Sequence, residues 1–314
     1  MSKLAFVFPG QGSQHVGMGR EFHDASRAAR AVWEEADEVL GFSLRQLCFE
    51  GPAEVLQQTA NAQPALLTAS IACHRVLAVN GIEAQMYAGH SLGEYSALVA
   101  AGVMPFAEAL LLVRRRGELM EEAYPRGEGG MTAILGLDRT AVDEICNQVE
   151  GIVEVANYNC PGQVVISGEQ RALARARELA LAMGAKRAIP LDVSGPFHSS
   201  LMAPAAKALA TRLASLELCA PAGDVYSSVN GQATSVGELK DLLKAQLTGP
   251  VRWEETVAAM VADGAQTFVE VGPGKVLGGL IRRIAKGATI YQGGDLRDLE
   301  KLVASKKGDI VRWD

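Results

Sequence analysis

At 314 residues, with 48% hydrophobic and 21% charged residues, the chain has the composition of a folded protein with a sizeable core, which excludes extensive disorder. Its length exceeds a usual single domain, and its formal net charge of −6 argues against general nucleic-acid binding. No stretch of roughly 18 apolar residues offers a membrane span.

Residues 3–8 (KLAFVF), too short for a signal sequence, read as a buried first strand. They lead into Pro9-Gly10-Gln11-Gly12-Ser13-Gln14. A phosphate-cradling loop would carry Gly-x-Gly-x-x-Gly or end in Gly-Lys-Ser/Thr. Neither occurs, so this loop reads as one that presents backbone N–H groups. Helical patterns follow at 25–40, 52–58 and 63–80, then a short apolar strand at 84–88. Residues 89–93 are Gly-His-Ser-Leu-Gly, and an Ala-rich helix is expected at 95–104. A Gly-x-Ser-x-Gly at a strand-to-helix corner holds its serine on a tight turn with the hydroxyl projecting outward. The N–H of Leu92 then falls at a helix N-terminus, where it can face a developing oxyanion. Another helix, 105–122, opens with Pro105.

Past the glycine-rich break at 127–130 the texture becomes compact. Strands are expected at 131–136, 153–157, 163–167 and 185–191, with helices at 139–149 and 170–183. That β-α-β-β-α-β order describes a small ferredoxin-like domain at 129–191, inserted into a large α/β-hydrolase-like domain formed by 1–128 and 192–314. The large domain should carry a central, mostly parallel sheet. Beyond the insertion come a strand at 225–229, helices at 236–246 and 255–263, a strand at 267–271 and the segment 275–284.

A serine hydroxyl needs a base to take its proton, and histidine suits neutral pH. His15 and His23 lie near the glycine-rich loop, and His74 is mid-helix. His90 adjoins Ser91, but adjacent positions at such a turn point different ways. His198, in the loop Val193-Ser194-Gly195-Pro196-Phe197-His198-Ser199, is the candidate. Asp192, six residues before it along an extended segment, is too far for direct contact without a sharp reversal, and a carbonyl or an amide can also orient an imidazole, so spacing leaves the third member open. Arg114-Arg115-Arg116 reads by itself as three surface residues, although one could turn inward and grip a carboxylate. Other basic clusters are Lys186-Arg187, Arg282-Arg283 with Lys286, and Lys306-Lys307. The five cysteines (Cys48, Cys73, Cys146, Cys160 and Cys219) form no Cys-x-x-Cys pair, as expected of reduced thiols in the cytoplasm. The five histidines show no metal-ligand spacing, so no metal is expected.

Taken together, Phe8 to Gln14, Gly89 to Ser96, Arg116-Gly117, Asn159-Cys160-Pro161-Gly162-Gln163, Gly195-Pro196-Phe197-His198 and Glu270-Val271-Gly272-Pro273-Gly274 resemble the malonyl-CoA:acyl carrier protein transacylases of bacterial fatty-acid synthesis. The likeness covers residues 3 to 293, and residues 294–314 fall outside any motif. It implies that Ser91 is the nucleophile and His198 its base, with the backbone N–H groups of Gln11 and Leu92 as the oxyanion hole. It further implies that Arg116 pairs with the malonyl carboxylate and that the main-chain carbonyl of Gln246 orients the histidine, which dismisses Asp192. Asn159, Phe197 and His90 would line the cleft, Phe197 resembling the malonyl-preferring members. The implied activity is ping-pong malonyl transfer from malonyl-CoA to an acidic acyl carrier protein, by a monomer without cofactor. The carrier is expected to dock at Lys186-Arg187 or at Arg282-Arg283-Lys286. Rival readings keep the same serine but make the chain a thioesterase-like hydrolase, a polyketide-synthase acyltransferase or a non-catalytic carrier-docking protein.

Overall fold

The computed structural model describes residues 3–307 and Trp313. In chain order the strands are β1 (Lys3–Phe8), β2 (Met86–Gly89), β3 (Gly129–Leu135), β4 (Val153–Cys160), β5 (Gln163–Glu169), β6 (Arg187–Pro190), β7 (Asp224–Ser227), β8 (Gln232–Ala233), β9 (Ala265–Glu270) and β10 (Thr289–Gln292). One sheet has the order β10-β9-β1-β2-β7-β8. Its pairings are parallel except for the β7–β8 edge. Parallel strands covered by helices on both faces become continuous apolar runs, which is why KLAFVF shows no polar alternation. Its two faces are distinct nonetheless: Phe6 and Phe8 pack with Leu66, Leu98 and Tyr95, while Ala5 and Val7 pack with Trp253, Val257 and Phe268.

Register decides where the motifs meet. Phe8 lies beside Gly89, and Val7 beside Glu270. The loop after β1, the serine turn after β2 and the Gly272-Pro273-Gly274 turn after β9 therefore leave the same carboxyl edge. That edge is where open α/β sheets bind ligands.

The second sheet is antiparallel, with order β4-β5-β3-β6, and carries the helices Arg139–Gln148 and Gln170–Ala182. Its element order is the expected β-α-β-β-α-β. Ile134, Val142, Ile145, Ile166 and Leu173 give it a separate apolar core. It is fastened to the first sheet's periphery by a parallel bridge between Asn157 and Val251, in which Tyr158 N–H donates to the Val251 carbonyl and Val251 N–H to that of Ala156.

Several elements differ from the sequence expectation for local reasons. The helix expected at 25–40 runs over Arg27–Leu40, and an unexpected helix, Arg20–Ala25, precedes it; Ser26 between them is extended and its side chain caps the second at Ala29 N–H. Leu44–Glu50 is an unexpected helix, capped by Ser43 at Gln46 N–H. The helix Thr59–Val79 starts earlier than expected and continues through Pro64. Proline removes the hydrogen bond to the Ala60 carbonyl, and Arg114 Nη1 donates to that carbonyl instead, at 3.0 Å. The helix after the serine is Gly93–Ala100, and a turn with Gly102 at φ 76° ends it short of residue 104. Strand β10 and the helix Leu296–Lys307 were not expected. The side chains of the basic pair Lys306-Lys307 lie outside the described residues.

Candidate active site

The serine corner sits at the carboxyl edge of β2. A methyl group on Gly89 would lie 1.9 Å from the Gly93 carbonyl carbon, and one on Gly93 would lie 2.0 Å from the Phe8 carbonyl oxygen. Only glycine permits this approach of strand, turn and helix. Between them Ser91 has φ 52°, a left-handed conformation that costs a non-glycine residue ~1–3 kcal/mol. Among the described residues one other non-glycine residue has a positive φ: His198, at 59°. The two strained residues meet, with Ser91 Oγ 2.8 Å from His198 Nε2.

His198 donates its Nδ1–H to the main-chain carbonyl of Gln246 at 2.8 Å. A carbonyl can only accept, so the proton belongs on Nδ1, and Nε2 is left to accept from the serine hydroxyl. Burial, and then the charge of Arg116, push the imidazole from its ordinary 6.5 down to about 3. It is neutral near pH 7, with Nε2 free to accept from the serine hydroxyl. Its second partner is an uncharged carbonyl; Asp192 is solvent-exposed.

Arg116, on the helix Phe106–Glu122, is 1% exposed. Its Nη2 donates to Ser91 Oγ at 3.2 Å and to Gln246 Oε1 at 2.9 Å, and its Nη1 donates to Gln63 Oε1 at 2.9 Å. Its guanidinium lies 5.4 Å over the Tyr95 ring. Arg114 turns to Glu118 and the Ala60 carbonyl, and Arg115 pairs with Glu118 and Glu122. Read without context, all three arginines belonged on the surface. That reading fails for the third, because successive helical residues point roughly 100° apart.

The remaining expected residues fall around this centre. Among the described residues, the N–H groups of Gln11 and Leu92 donate to nothing. Gln11 is anchored by its side chain, whose Nε2 donates to Thr59 Oγ1 at 3.2 Å; Thr59 Oγ1 is in turn 3.0 Å from Ser194 Oγ. The loop after β1 presses on the serine turn, since a methyl on Gly10 would lie 2.5 Å from the His90 carbonyl oxygen. His90 points away from Ser91 Oγ and its Nε2–H donates to Asn159 Oδ1 at 2.9 Å, tying β4 to the serine turn. Phe197, beside His198, is 4% exposed and belongs to the main core. A strained serine bonded to a neutral imidazole, beside a buried guanidinium and unpartnered N–H groups, can form and hold a covalent acyl ester.

Comparison with known proteins agrees with this chemistry. A model of the acyl transferase domain matches residues 5–290. The malonyl CoA-acyl carrier protein transacylase of Bacillus subtilis (strain 168) is 49% identical over 311 residues, 98% of each chain. This chain belongs to that family. Among solved structures, an acyl carrier protein S-malonyltransferase from Vibrio cholerae superposes with a TM-score of 0.92 at 47% identity, covering 96% of this chain and 100% of that one. A malonyl-transacylase solved with its type II PKS acyl-carrier protein gives a TM-score of 0.95 at 44% identity, covering 97% and 100%.

Sequence reasoning missed Gln63 and Glu94, which this acyltransferase fold buries beside Arg116 and Gln246. Glu94 carried no signal, since an acid in a helix's first turn is ordinary. Gln63 could have been flagged as a polar residue at the head of an apolar helix. The exposed basic clusters Lys186-Arg187 and Arg282-Arg283-Lys286, far apart in sequence, flank one contact in which Gly136 N–H donates to the Gly162 carbonyl. Methyl groups on these glycines would lie 2.8 Å from Lys186 Cγ and 3.4 Å from Arg283 Nη2 respectively. Among the described residues, no cluster of three His, Cys, Asp or Glu is placed to hold a metal ion, and no helix is long and apolar enough to cross a membrane.

Proposed function

We propose that the chain moves a malonyl group from malonyl-CoA to the phosphopantetheine thiol of an acyl carrier protein, through a malonyl ester on Ser91. The observation that carries this reading is the convergence on one hydroxyl of a neutral imidazole at 2.8 Å and a buried guanidinium at 3.2 Å. His198 takes the serine proton as Oγ attacks the thioester carbonyl. The oxyanion is met by the N–H groups of Gln11 and Leu92, each such donor being worth about 10²–10³ in rate. Collapse breaks the C–S bond, and the imidazolium returns its proton to the departing CoA thiolate. The carrier's thiol then gives its proton to His198, attacks the ester and releases Ser91.

Arg116 has a second task, to pair with the distal carboxylate of the malonyl group through its planar fork, which favours a diacid over a simple acyl chain. Gln246 keeps His198 in the required tautomer through a neutral carbonyl. Phe197 and Asn159 bound the acyl site. Each of these groups is protein, and the steps proposed call on no cofactor or metal. The antiparallel unit, 129–191, is best regarded as a ferredoxin-like insertion in the α/β-hydrolase-like domain of 1–128 and 192–314. We place the enzyme, as a monomer, in the cytoplasm, where its five unpaired thiols would stay reduced.

For the carrier, the basic edge around Gly136 and Gly162 suits an acidic partner. Lys186→Glu and Arg282→Glu should raise KM for the carrier while leaving loading from malonyl-CoA unchanged; undiminished carrier turnover would exclude that edge. The test of the main reading is intact-protein mass after exposure to malonyl-CoA. A malonyl adduct on Ser91 that is discharged by carrier protein is expected. Rapid release of free malonate without a thiol acceptor would instead assign a hydrolase.

A further inference from the structure

Behind the groups that would touch substrate lies a buried acid with no role in the steps above. Glu94, on the helix Gly93–Ala100, is fully buried. Its Oε2 accepts three hydrogen bonds, from Ser228 N–H at 3.2 Å, Ser228 Oγ at 2.7 Å and Gln246 Nε2 at 2.7 Å. Gln246 is 1% exposed and every polar group of its side chain is committed. Its Nε2 donates to Glu94 and to the Ser91 carbonyl, and its Oε1 accepts from Arg116 Nη2.

An amide has two near-isosteric orientations, and its neighbours choose between them. Were this one reversed, NH2 would face the guanidinium, donor against donor, and the amide oxygen would face Glu94, acceptor against acceptor. Glu94 is itself pinned by Ser228, just beyond β7, so its oxygen is a fixed reference. We propose that Glu94 is a positioning residue that locks the Gln246 amide with its oxygen toward Arg116, and so holds the guanidinium fork where a diacid can use it. Gln246 and Gln63 then clamp Arg116 through one amide oxygen each. The inference rests on the proposed malonyl-transfer reading.

The geometry separates this role from a merely structural one. His198 is held by the main-chain carbonyl of Gln246, which does not move when the side-chain amide turns. Loss of Glu94 should therefore fall mainly on malonyl transfer, which uses Arg116 to hold a carboxylate; acetyl transfer keeps the serine, the histidine and the oxyanion donors and meets Arg116 only at Ser91 Oγ.

The experiment compares kcat/KM for loading of Ser91 from malonyl-CoA and from acetyl-CoA. In Glu94→Ala the malonyl-to-acetyl ratio should fall by about 10-fold, with acetyl loading within about threefold of the parent. Glu94→Gln keeps an oxygen that can accept the same three donors, and should hold the ratio within about threefold. Ser228→Ala removes one of the donors that pin Glu94 and should lower the ratio by a smaller factor; it serves if Glu94→Ala does not fold. Equal losses for both thioesters in Glu94→Ala or Ser228→Ala would overturn the proposal, as would a ratio in Glu94→Gln as low as in Glu94→Ala. If the parent enzyme takes up no malonyl group, it is the transfer reading that fails; if it loads malonyl and the ratios stay put, only the role of Glu94 does.

Discussion

The serine corner and the histidine loop carry the same backbone strain, φ 52° at Ser91 and φ 59° at His198, yet they are built in different ways. The first is a contiguous device. Gly89, Ser91 and Gly93 lie within five residues, and strand, turn and helix pack so closely that both glycines are required. The second has no contiguous signature. His198 takes its orientation from Gln246, at the end of the helix Val236–Ala245, and its low proton affinity from burial and from Arg116 on yet another helix. A strained residue can thus be specified by its neighbours in sequence or over-determined by its neighbours in space. The chain uses one route for the proposed nucleophile and the other for its proposed base.

That contrast can be broken experimentally, and the largest effect is expected at the contiguous device. Ser91→Ala should abolish the malonyl adduct in intact-mass measurements and lower turnover by about 10⁶-fold. Persistent adduct at another residue would show that the corner is not where acyl transfer begins. His198→Ala leaves the corner intact and removes the spatially assembled partner, so loading should slow by about 10²–10⁴-fold without disappearing. A loss as complete as that of Ser91→Ala would mean the two regions act as a single unit.

Arg116→Ala should reduce the malonyl-to-acetyl ratio by roughly 10–100-fold, the worth of a charge-assisted pair, with acetyl loading maintained or improved. An unchanged ratio in competition kinetics would remove its assigned role. The smallest effect concerns pH. Because His198 is held well below its ordinary 6.5, the acid limb of kcat/KM for malonyl-CoA should lie below pH 6.5, and the rate should be level above it. The same shift affects stability. Between 6.5 and about 3 the unfolded chain binds a proton that folded His198 refuses. Its contribution is thus intact above pH 6.5 and declines as pH falls through that window. A denaturation midpoint that rises on acidification from pH 7 to 5 in the parent, relative to His198→Ala, would contradict this.

How much was legible in the sequence follows from the same distinction. The buried parallel strands announced themselves as unbroken apolar runs such as KLAFVF, and the β-α-β-β-α-β order of 129–191 was visible from short alternating segments between glycines. The separate helix before Ser26 and the helical turn ahead of Pro64 were not, because a serine cap and an arginine that replaces a missing N–H act on single residues and leave no periodic pattern. Ser91 stood out by its flanking glycines. Arg116 was indistinguishable from Arg114 and Arg115 as residues, and only the resemblance to a family singled it out. Glu94 and Gln63 passed unnoticed, because a buried polar residue has no sequence pattern when its partners come from distant segments.

The sequence by itself determined the strand-to-helix corner and the serine on it, since those features depend on steric limits felt within a few residues. The tertiary structure brought His198, the sequence's own candidate, onto that serine, and it alone decided which arginine turns inward and which carbonyl fixes the imidazole. Those choices depend on how β1, β2 and β9 align their carboxyl ends and on which helices cross above them. The energies involved, desolvation and charge pairing in a closed space, exist only once the chain has folded around them.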